Sequence, residues 1–279
     1  MTEAIPEHRP GFPAPIRIDG YFAWTWRLFR LCFWRLATVF VAGVVVASVV
    51  HLGIVILMLE VFDTGQTVQA LAVSFAAQVT LSAVAGTLLA AVAAPVFVGE
   101  VAGRRTGADE GWRRLRPNLG YVVVSALYVA MPLLMLVLFL GQIIQVLLLP
   151  AVLGPPVLVH AIVWEGRDFR DGATRAKNLL AGSWGRVISA LLVLAIGPAL
   201  LQIVTLTAFG ELLPGLDGDQ LADSVWATLA IAVTTAPVWL FTTAAGTVAY
   251  LDLRARFEEL DGADLAAEAE AARGAPTPG

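Results

Sequence analysis

The run LGYVVVSALYVAMPLLMLVLFLGQIIQVLLLPAVLGPPVLVHAIVW, residues 119–164, decides the fold. Across 46 positions it carries no acidic or basic side chain, and His160 is its only imidazole. A hydrocarbon core about 30 Å thick takes roughly 20 apolar helical residues. The run is long enough for two passes and too long for one, so the chain has to turn back on itself. Gly141, Gln142 and Gln145 supply the first polar, flexible break, and Pro150, Gly154, Pro155 and Pro156 interrupt the returning half. Lipid gives a broken backbone no hydrogen-bond partners, so other helices of the same protein must cover that half. The run is therefore expected to be the central hairpin of a bundle.

Composition agrees. Of 279 residues, 58% are hydrophobic and 14% charged. That balance lies outside the range of soluble globular domains and reads as an integral membrane protein. Cys32 is the only cysteine, which excludes an intrachain disulfide and a paired-thiol metal or redox site. Residues 1–16, MTEAIPEHRPGFPAPI, lack the apolar segment of a secretory leader and are expected to be a retained, disordered tail.

Outward from the hairpin, apolar length places six spans at about 36–59, 70–98, 119–140, 143–164, 187–209 and 225–249. Together with their connections they make a membrane domain over 17–261, followed by a C-terminal tail over 262–279 that begins as a short helix. Residues 17–35 are dense in Trp, Phe and Leu and carry Arg27, Arg30 and Arg35 at near-helical spacing. Such a segment is either an amphipathic interfacial helix or the flared end of the first span. In the second span Ser74, Gln78, Ser82, Gly86, Ala90 and Ala94 recur every four residues. Small side chains in that register let a neighbouring helix approach closely, which is how helices associate in lipid. The fold class expected is all-α, with three antiparallel hairpins and amphipathic cytoplasmic helices between them.

Charge sets the threading. All 18 Lys and Arg fall in the N-terminal segment, two connections (100–118 and 165–186) and the C-terminal segment. The opposite turns hold only Glu60, Asp63, Glu211, Asp217, Asp219 and Asp223. By the positive-inside rule the basic side is cytoplasmic, with both termini there. A five-span or seven-span count would strand a basic segment outside. The localisation expected is the bacterial cytoplasmic membrane, multi-pass.

Candidate sites follow from chemistry at that boundary. Arg27, Arg30, Arg35, Arg113, Arg114, Arg116, Arg175, Lys177 and Arg186 lie near aromatic rings and suit anionic headgroups. The alternative is that they set topology alone. Glu165, Asp252, Arg254 and Arg256 sit where spans meet the basic surface and are expected to form interhelical ion pairs. His51, His160, Gln78, Gln142, Gln145 and Gln202 read as interhelical hydrogen-bonding groups, with a proton relay or pore lining as the rarer alternative. No H-E-x-x-H, phosphate loop, G-x-S-x-G or cysteine pair occurs, so no catalytic residue, metal or cofactor is assigned.

Four stretches carry a resemblance: WRLFRLCFWRL (26–36), AAPVFVGEVAGRRTGADEGWRRLRPNL (93–119), VWEGRDFRDGATRAKNLLAGSWGRVISALL (163–192) and AYLDLRARFEELD (249–261). They resemble an uncharacterised bacterial family of six-span proteins, itself similar to the membrane domain of some glycerophosphodiester phosphodiesterases. The elements that carry it are Glu165-Gly166 following Pro156, Ser183-Trp184, and Tyr250-Leu251-Asp252-Leu253-Arg254. Residues 178–182 (NLLAG) are less basic than the family's usual connection. The resemblance implies the six-span fold and no established activity.

The function expected is a non-enzymatic membrane protein that organises anionic lipid, a partner protein or a second copy of itself through its basic, aromatic face. Nucleic acid is not an expected partner. The alternatives are a small-solute or lipid permease or channel, and a membrane-embedded regulatory subunit of an enzyme.

Overall fold

The computed structural model describes residues 15–16, 18–61, 67–139, 157–181, 183 and 220–274. The fifth expected span, most of the fourth, Gln142, Gln145, Gln202 and Arg186 lie outside the described residues. All regular structure among the described residues is helical. The helices are α1 (Ile18–Val61), α2 (Thr67–Val101), α3 (Ala108–Phe139), α4 (157–163), α5 (Phe169–Leu180), α6 (Gln220–Phe257) and α7 (Gly262–Gly274). Two stretches, Gly20–Ile54 in α1 and Thr80–Val101 in α2, are long and apolar enough to cross a membrane.

α1 runs 44 residues without a break, about 66 Å at 1.5 Å per residue. No proline interrupts it, and charge alone does not stop a helix. The segment bearing Arg27, Arg30 and Arg35 is thus continuous with the first apolar helix. The same physics shortens the first basic connection. Asp109 and Glu110 fall in the first turn of α3, where carboxylates favour the helix dipole. The helix therefore starts at Ala108, eleven residues before the expected span, and the connection reduces to 102–107.

That connection folds back on the end of α2. The Thr106 hydroxyl donates to the carbonyls of Pro95 and Val96, each at 3.3 Å, and the Arg104 N–H donates to the Gly99 carbonyl at 2.8 Å. Farther along, the α2 and α3 backbones meet at Gly111, where a Cβ would sit 2.0 Å from the Val92 carbonyl oxygen. Only glycine allows that approach.

α1 packs antiparallel to both α2 and α6. Gly43 faces Leu89 across the first interface, and Phe29 meets Phe241 edge-on at 5.7 Å across the second. A Cβ at Gly86 of the four-residue stripe would lie 3.9 Å from the Trp239 ring of α6, and Ala94 is fully buried. Ser82 and Ala90 are half-buried on the same helix, and the side chain of Gln78 lies outside the described set. The core gathers Leu28, Leu36 and Phe40 of α1, Val92 and Phe97 of α2, Leu115 of α3, Ile162 of α4, and Leu240 and Tyr250 of α6.

Two short helices close this end of the bundle. α5 is amphipathic: Gly172, Ala176, Leu179 and Leu180 are buried, while Arg170, Thr174 and Lys177 face out. Asp168 caps it by accepting from the Asp171 N–H at 2.8 Å. α7 starts at Asp261, whose carboxylate accepts from the N–H groups of Ala263 and Asp264, and it buries Leu265 and Ala269.

Candidate functional site

The ends of these helices bring charged side chains of distant segments together in three clusters. At the centre of the first is Asp252, fully buried near the end of α6. Its carboxylate accepts from the Ile16 N–H at 2.7 Å, the Tyr21 hydroxyl, and Arg256 Nε at 3.0 Å. Arg256 also donates to the Ile16 carbonyl at 2.9 Å, so one turn of α6 grips both backbone groups of a single residue. The side chain of Ile16 is itself buried.

Glu165 forms the second centre, just past α4. It accepts from Arg167 Nε at 2.5 Å, Arg175 Nε at 3.1 Å and the Tyr250 hydroxyl at 2.6 Å, with Arg254 Nε at 3.9 Å. Gly166 turns the chain there with φ +69°. Arg175 also pairs with Glu258. Arg254 reaches Glu258 at 2.9 Å and grips Glu268 of α7 with both terminal nitrogens, at 2.8 and 2.6 Å. Two-point guanidinium–carboxylate pairs of this kind are among the stronger ionic hydrogen bonds.

Burial alone would lower the Arg254 pKa, but Glu268, Tyr250 and Glu258 more than offset it and hold the value above that of an ordinary arginine. Burial likewise pushes the carboxyls of Glu258 and Glu268 up, and their arginine partners bring both below the usual carboxylate range. Tyr250 is pushed well above an ordinary phenol, first by burial and then by the charge of Glu165.

The third centre lies on α2 and α3. Arg35 pairs with Glu100 and donates to the Thr106 carbonyl at 3.1 Å. Glu110 accepts from Arg104 at 3.1 Å and Arg114 at 2.9 Å. Arg114 stacks on Trp164 at 4.5 Å, the Trp164 indole N–H donates to Glu268 at 3.2 Å, and Arg104 donates to the Ala269 carbonyl at 2.8 Å.

The candidate headgroup residues thus divide in two. Arg35, Arg114 and Arg175 are engaged by internal carboxylates. Arg27, Arg30, Arg113, Arg116 and Lys177 face outward. Arg27 lies over the Trp24 ring at 5.1 Å, and Arg113 makes only a loose surface pair with Asp109 at 3.6 Å. Exposed rings accompany them: Phe22, Trp26 and Trp34 on α1, Trp112 and Tyr121 on α3. Trp34 is 84% exposed. Phe22, Trp26, Arg30 and Trp34 recur every four residues and share one helix face.

His160 is buried against α6. Its Nε2 lies 2.9 Å from the Thr247 hydroxyl, which also stands 3.1 Å from the Thr243 carbonyl one turn back. The ring stacks on Tyr250 at 4.9 Å. This is the interhelical hydrogen bond expected of a core histidine. His51 is different, because its buried Nδ1 has no hydrogen-bond partner among the described residues.

Several members of these clusters escaped the sequence reading. Tyr21, Trp164 and Glu268 carry no local signal, since each meets a partner from another part of the chain, and Tyr250 stood out only as part of a quoted sequence element, with no role for its hydroxyl. Glu258 did carry one, four residues after Arg254 on a helix, which is the spacing of a side-chain ion pair. Among the described residues no three of His, Cys, Asp and Glu gather as metal ligands would. No family model, curated protein or solved structure matches this chain.

Proposed function

We propose that the chain is a six-span, non-enzymatic membrane protein with both termini in the cytoplasm, and that its basic, aromatic cytoplasmic face holds anionic lipid headgroups. The observation that carries this reading is the division of the cations. Those inside the bundle are matched by carboxylates, whereas Arg27, Arg30, Arg113 and Arg116 stand outside beside exposed Trp, Phe and Tyr. Each exposed group leads along its own helix into an exposed apolar stripe, Val46, Val49, Val50, Ile56 and Leu57 on α1, and Leu119, Val124 and Leu127 on α3. In water such stripes would be aggregation surfaces; against acyl chains they carry no penalty, and the cation-and-ring level above them matches the headgroup layer.

Threading finds support in parity. Ile16 and Tyr21 meet Asp252, Arg35 meets Glu100, Trp164 meets Glu268, and Arg104 meets Ala269. Segments that touch on one side of a bilayer are separated by an even number of crossings. All four basic segments enter these contacts, which favours two, four and six crossings over odd counts. The positive-inside rule then puts that side in the cytoplasm. The likeness to the six-span family belongs to the same proposal and rests on the four quoted stretches.

Replacing Arg113 and Arg116 by Gln tests the lipid assignment. At about 1 kcal/mol per basic residue near an anionic surface, the double variant retains phosphatidylglycerol roughly 30-fold less well than wild type in native mass spectra. Insertion and thermal stability stay the same, because neither side chain supports the core. Unchanged retention overturns the assignment.

A further inference from the structure

Resting on the proposed lipid-facing role, we infer that α7 is a displaceable latch whose Glu268 carboxylate fills, in cis, an oxyanion site made by Arg254 and the Trp164 indole N–H. The ligand class that fits is a phosphate monoester, either free or as the exposed phosphate of a lipid headgroup.

The site has the form that such a group requires. Arg254 presents both terminal nitrogens to the two Glu268 oxygens, and Trp164 adds a third donor to one of them. A guanidinium fork with one further N–H binds a carboxylate and a phosphate by the same geometry. Arg254 is only 7% exposed at its side chain, so an anion there sits on a built surface and not on a mobile arginine. Arg104 completes the hold on α7 through the Ala269 carbonyl and stands beside the same position.

Charge shows why the site wants an anion. Arg104, Arg114, Arg167, Arg175 and Arg254 are matched in this connected cluster by Glu110, Glu165, Glu258 and Glu268. Glu268 is the only one of these carboxylates on α7. Undocking the helix would leave the cluster two positive charges in excess and uncover the Arg254 fork. Among the described side chains of α7, Leu265 and Ala269 are the buried apolar ones, so the helix docks through this charge contact, the Arg104 hydrogen bond and two apolar anchors. A ligand that prefers the undocked state shifts the latch by its difference in affinity for the two states.

The test uses the full-length protein in phosphatidylcholine nanodiscs, with phosphatidic acid included, with inorganic phosphate added, or with neither. Hydrogen exchange over residues 262–274 reports the latch, and native mass spectrometry reports binding. In wild type, the ligand raises exchange in α7. Glu268→Gln and Leu265→Ala each raise α7 exchange without ligand and strengthen ligand binding about tenfold, the second without touching Arg254 or Trp164. A response to phosphatidic acid alone identifies a lipid headgroup; a response to inorganic phosphate as well identifies the free anion. If both variants free α7 and neither ligand binds better, or if neither variant frees it, the latch is overturned. Loss of phosphatidylglycerol retention in the Arg113→Gln, Arg116→Gln variant reports on the lipid-facing role alone, since neither residue touches α7.

Discussion

A carboxylate with no exposed surface is costly to bury unless donors meet its oxygens. Asp252 is such a group, held by Ile16, Tyr21 and Arg256. Asp252→Asn removes the charge but keeps the volume, and it leaves Arg256, which is 26% exposed, to be solvated by water. The expected cost is about 2–3 kcal/mol, seen as a lower unfolding temperature in detergent together with faster proteolysis ahead of Ile16. Tyr21→Phe removes one donor and costs about half of that. Equal stability in both variants would show that the clamp does not hold the N-terminal segment. Asp252 and Glu165 were legible in the sequence because a lone acid beside arginines at the end of an apolar run needs a partner. Tyr21 and Tyr250 were not, because a phenol in an aromatic-rich helix looks like packing until the fold brings its hydroxyl to a carboxylate.

Among the described residues, the helices over the first, second, third and sixth apolar runs were legible in the sequence, and their ends were not. Apolar length says where a helix can cross lipid, while α1 and α3 continue past that limit: Ile18–Arg35 holds no proline, and the helix from Ala108 runs on through Pro117. Only the backbone geometry shows how closely α2 and α3 approach. Gly111→Ala would place a methyl carbon within 2.0 Å of the Val92 carbonyl, and main-chain atoms cannot yield as a side chain does. Forced separation of the two helices is expected to cost about 3 kcal/mol or more and to lower the yield of folded protein in size-exclusion profiles. Gly120→Ala, where a Cβ meets nothing within 4 Å, is the matched control and should leave the profile unchanged. The docking of α7 carries a pH dependence. Glu258 and Glu268 both have folded pKa values below the ordinary 4.5, so their pairing stabilises in full above that value. It is lost as pH falls through the lower folded values, when protonation removes the charges that Arg254 and Arg175 hold. A spin label at Ala267, on the exposed side of α7, should stay immobile from neutral pH down to about 4.5 and gain mobility only in stronger acid. Mobility rising between pH 8 and 6 would contradict this, since neither carboxyl titrates there.

At the scale of the whole molecule the organising quantity is the sidedness of charge. In the sequence it appears as 18 basic residues on one set of segments and acidic residues alone on the other. In the fold it appears as ion pairs and hydrogen bonds that tie the N-terminal segment, both basic connections and the C-terminal segment together. Neither observation depends on the other: one is the statistics of Lys and Arg, the other the geometry of buried contacts that no count of arginines foresees. Their agreement makes the proposed threading testable at few positions. Cys32 is buried, so single engineered thiols give a clean signal. With a membrane-impermeant maleimide on intact cells, Gly65→Cys and Gly218→Cys should label, and Arg105→Cys and Arg170→Cys should label only after the membrane is opened. The two arginines chosen face outward from the fold, so shielding by the protein itself does not explain silence there. If Arg105→Cys reacts from outside while Gly65→Cys does not, the cytoplasmic assignment is reversed and the exposed arginines face the other leaflet. If Arg105→Cys and Arg170→Cys label on opposite sides, an odd number of crossings separates the two connections. The contacts between Trp164, Glu268 and Arg104 could not then form, and the six-span bundle would be wrong.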